Sequence, residues 1–328
     1  MKRILALTIA LLLLAGCGQV IAENPADTQG AGNQPLRVVT SIFPQFDFVR
    51  QIAGDRVELT MLLSPGMESH SFEPTPRDII TINNADLFIY VCSDAEEWVN
   101  PIITSLERDD MTTVALISMI EPIEADHDHD HDHNHNHDHD HDYGHDHDLD
   151  HHHNYDEHVW TSPRNAIIIV EQLTEILAQL DPDNADSFRA NAAAYISALE
   201  ELDSDFAEVV AGGVRNTLVF GDRFPFLYFT QAYGLSAYSA LDGCGTQTQA
   251  SPARIASLID RLNEENIPVV FYIELSNHAI ANVIAEETGV RMLELHSAHN
   301  VSHADFMAGV TFLDIMSRNL EHLREALS

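Results

Sequence analysis

Short β-rich runs alternate with helical periodicities on both sides of a histidine-dense stretch, and this alternation predicts an α/β chain of parallel, doubly wound sheets covered by helices. With 328 residues and 45% hydrophobic content, the chain can bury a sizeable core, as two domains or as one large α/β domain. Candidate strands in the first half are Arg37 to Ser41, Val57 to Leu62, Asp86 to Val91 and Thr113 to Leu116. In the second half they are Leu218 to Gly221, Val269 to Ile273 and Met292 to Leu295. The stretches Phe46 to Ala53, Arg77 to Asn84, Ala95 to Glu107, Ala253 to Asn263 and Asn277 to Thr288 read as helices between them.

The middle of the chain departs from this rhythm. Ser162 and Pro163 suit an N-cap and a first helical position, and Ile169, Leu173, Ile176 and Leu180 then recur every three to four residues. Asp181-Pro182 interrupts, and Phe188, Ala192, Tyr195, Leu199, Leu202, Phe206 and Val209 continue the stripe. Nearly continuous helix over about 48 residues would reach roughly 70 Å if straight, enough to join two lobes. The chain closes with an amphipathic helix through Phe306, Val310, Leu313, Met316, Leu320, Leu323 and Leu327, opened by a capping-box-like Ser302-His303-Ala304-Asp305.

The N-terminus reads as an address. Lys2 and Arg3 precede an apolar run from Ile4 to Ala15, too short for a spanning helix and ending in Leu14-Ala15-Gly16-Cys17. This tetrapeptide resembles a bacterial lipobox, which implies a lipidated Cys17; an ordinary signal peptide with a coincidental cysteine is the alternative. Residues 18–35 read as a tether. Cys92 and Cys244 remain, either as a disulfide or as two buried thiols, and no Cys/His zinc-knuckle spacing is present.

A formal net charge of −36 repels nucleic acid and draws cations. From Asp126 to His158 the chain carries fourteen histidines and twelve carboxylates with no basic residue, a pattern that cannot bury an apolar face and is expected to be a disordered loop. Imidazoles such as His127, His129, His131, His133, His135, His137, His139 and His141 suit zinc, copper or nickel without fixed geometry. A merely solubilising insertion is the plainer alternative. Outside the tract stand His70, His278, His296, His299, His303 and His322, the last read as a solvated surface residue.

Two segments carry more specific information. His70 lies in Ser64-Pro-Gly-Met-Glu-Ser-His70-Ser-Phe-Glu-Pro-Thr-Pro76, after a strand and before a helix, where α/β sheets place ligands. His158 lies in Asp156-Glu-His158-Val-Trp-Thr-Ser-Pro163, just before the long helix. These segments resemble, over roughly residues 36 to 327, the zinc/manganese solute-binding lipoproteins of bacterial ABC importers. The resemblance implies two doubly wound α/β lobes joined by a long rigid backbone helix, with one metal in the cleft between them. It gives the organisation as 1–16 signal peptide, 17–35 lipidated cysteine and tether, 36–125 N-terminal lobe, and 126–157 His/Asp loop. Residues 158–212 then hold the second ligand segment and linking helix, and 213–328 the C-terminal lobe.

It also implies His70 and His158 as the first two ligands, whereas Gly221 stands where a third ligand is expected and His296 where a fourth, usually Asp, is expected. The expected set is therefore His70, His158 and His296, completed by water, Asp222, His299 or a loop imidazole. Three neutral nitrogens favour Zn²⁺ over Mn²⁺. The function expected is an exported receptor, lipid-anchored on the outer face of the cytoplasmic membrane and monomeric. It would capture Zn²⁺ and pass it to an ABC transporter permease, with no nucleic-acid partner. A surface-anchored zinc buffer or adhesin is the alternative. A metallohydrolase has little support, because HExxH, Gly-x-Ser-x-Gly and P-loop motifs are absent and no general base is evident.

Overall fold

The computed structural model describes residues 34–68, 72–92, 96–106, 108, 110–124, 155–241 and 249–328. Cys17, His70, Cys244 and the tract histidines His127 to His141 lie outside these residues. Pro35–Ser328 forms one compact unit.

Four parallel strands, β1 (Leu36–Thr40), β2 (Val57–Met61), β3 (Leu87–Tyr90) and β4 (Thr112–Ala115), pair in the order β2-β1-β3-β4. A second parallel sheet repeats that order: β5 (Thr217–Phe220), β6 (Ser236–Ser239), β7 (Val269–Tyr272) and β8 (Arg291–Glu294) pair as β6-β5-β7-β8. Central strands covered on both faces are apolar at successive positions. Val38 enters the core shared with the middle helices, while Val39 enters a separate cluster with Phe88 and Ile82. Leu218 and Phe220 likewise face the shared core and Val219 the opposite side.

The helices of the first lobe are α1 (Phe43–Ala53), α2 (Pro76–Asn83) and α3 (Val99–Ser105). The Thr75 side chain accepts from the Asp78 amide at the start of α2, and Pro76 takes the first helical position, where it forfeits no hydrogen bond. In the middle stand α4 (Pro163–Leu180) and α5 (Ala185–Gly212). The second lobe adds α6 (Leu227–Tyr233), α7 (Pro252–Glu264), α8 (Ala279–Thr288), α9 (His303–Ala308) and α10 (Phe312–Leu327). Among the described residues, no helix is long and apolar enough to cross a membrane.

Four features depart from what the residues alone suggest. The middle helix is not one rod: Asp181 ends α4, Asn184 Nδ2 donates to Asp181 Oδ2 at 2.7 Å, and α5 folds back antiparallel. Arg189 pairs with Glu175 at 2.7 Å and Arg164 with Asp203 at 2.9 Å, contacts that only a hairpin can make. The 28 residues of α5, ~42 Å at 1.5 Å per residue, still span both lobes. Asn191 Nδ2 donates to Ile52 O at 3.0 Å in the first lobe, and Phe206 meets Phe229 edge-on at 5.0 Å in the second.

The closing helix is also two, because Gly309 adopts a left-handed conformation (φ 73°) and Thr311 and Asp314 form a fresh capping box. His322 is half-buried rather than solvated, its Nδ1 hydrogen-bonded to Glu294 O at 2.6 Å. The edge strand β6 has no counterpart in the sequence reading: Ser-Ala-Tyr-Ser is too polar and short to show a strand period.

Candidate metal centre

Ligands of open parallel sheets gather outside the carboxyl ends of the strands, where the order reverses. The loops after β2, β5, β7 and β8 meet the Asp156–Thr161 segment at that edge, around a pocket of about 380 Å³. His158, His299, Gly221, Asp222, Arg223 and Asn300 are among its lining residues.

His158 is fixed before any ion arrives. The Asp156 amide donates to Ile123 O at 2.9 Å, and the Tyr228 hydroxyl accepts from the Ile123 amide while donating to Asp156 O. One tyrosine of the second lobe therefore holds both ends of the chain flanking the histidine tract. The His158 amide bonds Asp156 Oδ1 at 2.9 Å, and Nδ1 lies 3.2 Å from the same oxygen. A carboxylate accepting from Nδ1–H selects the tautomer whose Nε2 lone pair is open to a cation. Thr161 Oγ1 donates to His158 O at 2.8 Å, and buried Trp160 donates through Nε1 to Ser297 O at 2.8 Å.

The side chain that meets His158 from the second lobe is His299. Ligand atoms of Glu157, His158 and His299 lie within 4.8 Å of one another. One carboxylate and two imidazoles form a borderline donor set of the kind zinc takes, and an ion would draw them to the roughly 3.4 Å donor spacing of tetrahedral zinc. The His299 ring packs edge-on against Trp160 at 5.1 Å and His158 at 5.5 Å. Its amide is held by Glu274 Oε1 at 3.2 Å, and the same carboxylate accepts from the Ser297 amide at 2.7 Å and the Ser297 hydroxyl at 2.5 Å. Leu275, His278 and Ala298 all have positive φ around this edge, backbone strain that the surrounding bonds sustain.

Burial pushes the Glu157 carboxyl above its ordinary value; His158 opposes the rise and the Asp156 charge adds to it. Behind it Glu96, whose carboxylate is enclosed although part of the residue is exposed, is pushed up to about 7, chiefly by burial. Its oxygen accepts from the Val91 amide at 2.6 Å.

The expected residues distribute as follows. His158 stands in the donor group, and His70 lies outside the described residues. His296 is not in that group: it is buried, its Nδ1 accepts from the Ala298 amide at 3.0 Å and lies 3.6 Å from Glu274 Oε2, and its backbone amide and carbonyl both bond Asn319. His299 takes the place beside His158 instead. Asp222 lines the pocket but spends Oδ1 on the Arg223 amide at 2.9 Å and Oδ2 on the Ile273 amide at 3.4 Å.

Gly221 does more than lack a ligand. A Cβ there would sit 2.5 Å from Ala281 Cα, so α8 occupies the space that a side chain would need. Glu157 escaped the sequence reading because it looks like one more acid of the tract; its adjacency to His158 was the available signal. Cys92 is buried after β3.

Paired parallel lobes with ligand-donor side chains in the cleft between them define a solute-binding protein. The chain belongs to the family of zinc-uptake complex component A, periplasmic, whose sequence model matches residues 38–326. It is 30% identical over 319 residues to the high-affinity zinc uptake system protein ZnuA of Bacillus subtilis strain 168, covering 96% of this chain and 94% of the relative. It is 29% identical over 323 residues to the zinc-binding lipoprotein AdcA of Streptococcus pneumoniae R6, covering 97% of this chain but 60% of the relative. The chain thus spans about 60% of the length of the streptococcal relatives it matches. The crystal structure of the Zn(II)-bound ZnuA-like domain of Streptococcus pneumoniae AdcA superposes with a TM-score of 0.71 at 27% identity, covering 89% of this chain and 98% of that one. The metal-dependent lipoprotein YcdH of Bacillus subtilis gives 0.73 at 27% identity, covering 89% of this chain and 100% of that one.

Proposed function

We propose that this chain is an exported, lipid-anchored receptor that captures Zn²⁺ in the interlobe cleft and delivers it to the permease of an ABC importer. The observation that carries the reading is the convergence of Glu157, His158 and His299 from two parts of the chain onto one point at the strand ends. His70, placed by its motif in the loop after β2, is the fourth ligand of the proposed site. The zinc named in the relatives and family supports the choice of ion, and the donor chemistry agrees with it: Mn²⁺ takes more oxygen ligands. The histidine tract is proposed to collect ions near the membrane rather than to define the site.

Capture follows from the local chemistry. The Asp156 carboxylate holds the proton on His158 Nδ1 and leaves Nε2 as the ring atom that takes a cation, so no tautomer change is needed when it arrives. Burial raises the Glu157 carboxyl above its ordinary value and a cation is held by its charged form, so affinity is expected to fall as pH falls. The decisive experiment titrates the mature protein lacking residues 126–153 with zinc against a chromophoric chelator. A tight 1:1 site that is lost in His158→Ala and weakened in His70→Ala is expected. No tight site in the shortened protein, with all capacity residing in the tract, would overturn the receptor reading in favour of a surface zinc buffer.

A further inference from the structure

The loop that leads to His70 is fastened to the loop that carries His299 by one buried side chain. Ser64-Pro65-Gly66-Met67 closes as a tight turn, with the Met67 amide donating to Ser64 O at 3.1 Å and Gly66 at φ 83°. Proline second and a positive-φ glycine third are the residues a type II turn requires. Asn300, 2% exposed, reaches this turn from the second lobe: Nδ2 donates to Ser64 O at 2.9 Å and to Met67 O at 2.8 Å. Both partners are carbonyls and can only accept, so the amino group must face them. The other end of the amide, Oδ1, accepts from the Val301 amide at 2.8 Å, and the Gly66 amide donates to Val301 O at 2.8 Å. Beside this turn, Glu68 is bridged at 3.5 Å by Arg223, which belongs to the loop after β5.

Both hydrogen bonds donated by Asn300 Nδ2 dock the two loops, while Oδ1 anchors the side chain to its own loop through the Val301 amide. Its neighbour His299 belongs to the donor group, and His70 follows Met67 by three residues. Other links between the lobes, such as Arg50 to Val310 O at 2.9 Å, lie away from the pocket. We infer that Asn300 is a positioning residue for metal capture: it locks the Ser64–Met67 turn onto the second lobe, sets the approach of the first-lobe ligand loop to His299, and must let go for the cleft to open and release the ion. The inference rests on the receptor reading above and adds to it the side chain that governs release.

The test measures zinc affinity, zinc release rate and the visible spectrum of the Co²⁺-loaded protein in the full mature chain. In Asn300→Asp the acceptor for the Val301 amide survives while both donors to the turn are replaced by an oxygen that repels the carbonyls. Gly66→Ala strains the same turn from the opposite side, and guards against a folding defect peculiar to Asn300. Affinity ten- to hundred-fold weaker in each variant, the range seen when partners that orient metal ligands are removed, with faster release and a changed cobalt spectrum, is expected.

Combining Asn300→Asp with His70→Ala should add little further loss, because both act through one loop. Loss that adds fully in the double variant, or unchanged release and spectrum in the single ones, would overturn the inference while leaving the receptor reading intact. Absence of a 1:1 zinc site in the unaltered chain would overturn both.

Discussion

The two lobes share one strand order yet use the carboxyl edge of the sheet differently. In the first lobe the enclosed carboxylate of Glu96, after β3, accepts from the Val91 amide and bonds Ser41 at the end of β1, tying that lobe's strand ends to each other. In the second lobe the corresponding carboxylate, Glu274 after β7, ties down the loop after β8 and so fixes His299. One acid stabilises an edge and the other aims a ligand. Acids that follow matching strands of a repeated topology thus take different work, because Glu274 reaches the β8 loop that carries His299, whereas Glu96 reaches the ends of β1 and β3.

The strongest way to break this comparison is at the ligands. His299→Ala should weaken zinc binding by about three orders of magnitude, equivalent to ~4 kcal/mol, while His296→Ala should lower the melting temperature and leave affinity near that of the unaltered chain. The reverse result in a chelator-competition titration would return His296 to the site.

Restoring a side chain at the vacated position comes next. Gly221→His is expected to destabilise the second lobe by about 3 kcal/mol, because its Cβ meets the α8 backbone, and to add no zinc affinity. Chemical denaturation together with the same titration checks both halves of that statement.

Glu96 offers a pH test of the first lobe. Its folded value of about 7 lies above the ordinary 4.5, so the contribution of the neutral acid is complete below pH 4.5 and is lost as pH rises through 7. Glu96→Gln should therefore match the unaltered chain near pH 4.5 and exceed it above pH 7 by at most about 3 kcal/mol, at ~1.4 kcal/mol per unit and less where water reaches the part-exposed residue. Denaturation midpoints across that range would show the divergence; a constant difference would show that the carboxylate is not held neutral.

The smallest expected effect concerns the carboxylate that sets the His158 tautomer. Asp156→Asn should cost ten- to hundred-fold in zinc affinity with the fold retained, as for other carboxylate partners of metal-bound histidine. Affinity unchanged by that variant would show that Nδ1 needs no such partner.

Much of this was legible in the residues. Seven of the eight strands are apolar enough to stand out, and the structure shifts their bounds by only a residue or so. The His158-Val159-Trp160 segment and the glycine at position 221 were equally visible. The polar edge strand Ser236–Ser239 was not, because an edge needs no apolar run. The turn at Asp181–Asn184 was visible as an interruption, but its direction was not. A proline after a helix end permits a kink or a reversal, and the reversal is held by pairs such as Glu175 with Arg189, set fourteen residues apart along the chain.

By itself the sequence determined the class: alternating strands and helices, an acid and imidazole excess suited to cations, and two histidine motifs at the right separation. Tertiary structure decided which imidazole of the Leu295–Val301 loop faces His158. His296 and His299 are chemically identical and three residues apart, so only the backbone path, bent at Ala298 and bonded through Glu274, Asn319 and Asn300, sets His296 against Glu274 and brings His299 to His158. It likewise decided why position 221 holds glycine, since contact with Ala281 across the strand end depends on where a helix sixty residues later comes to rest.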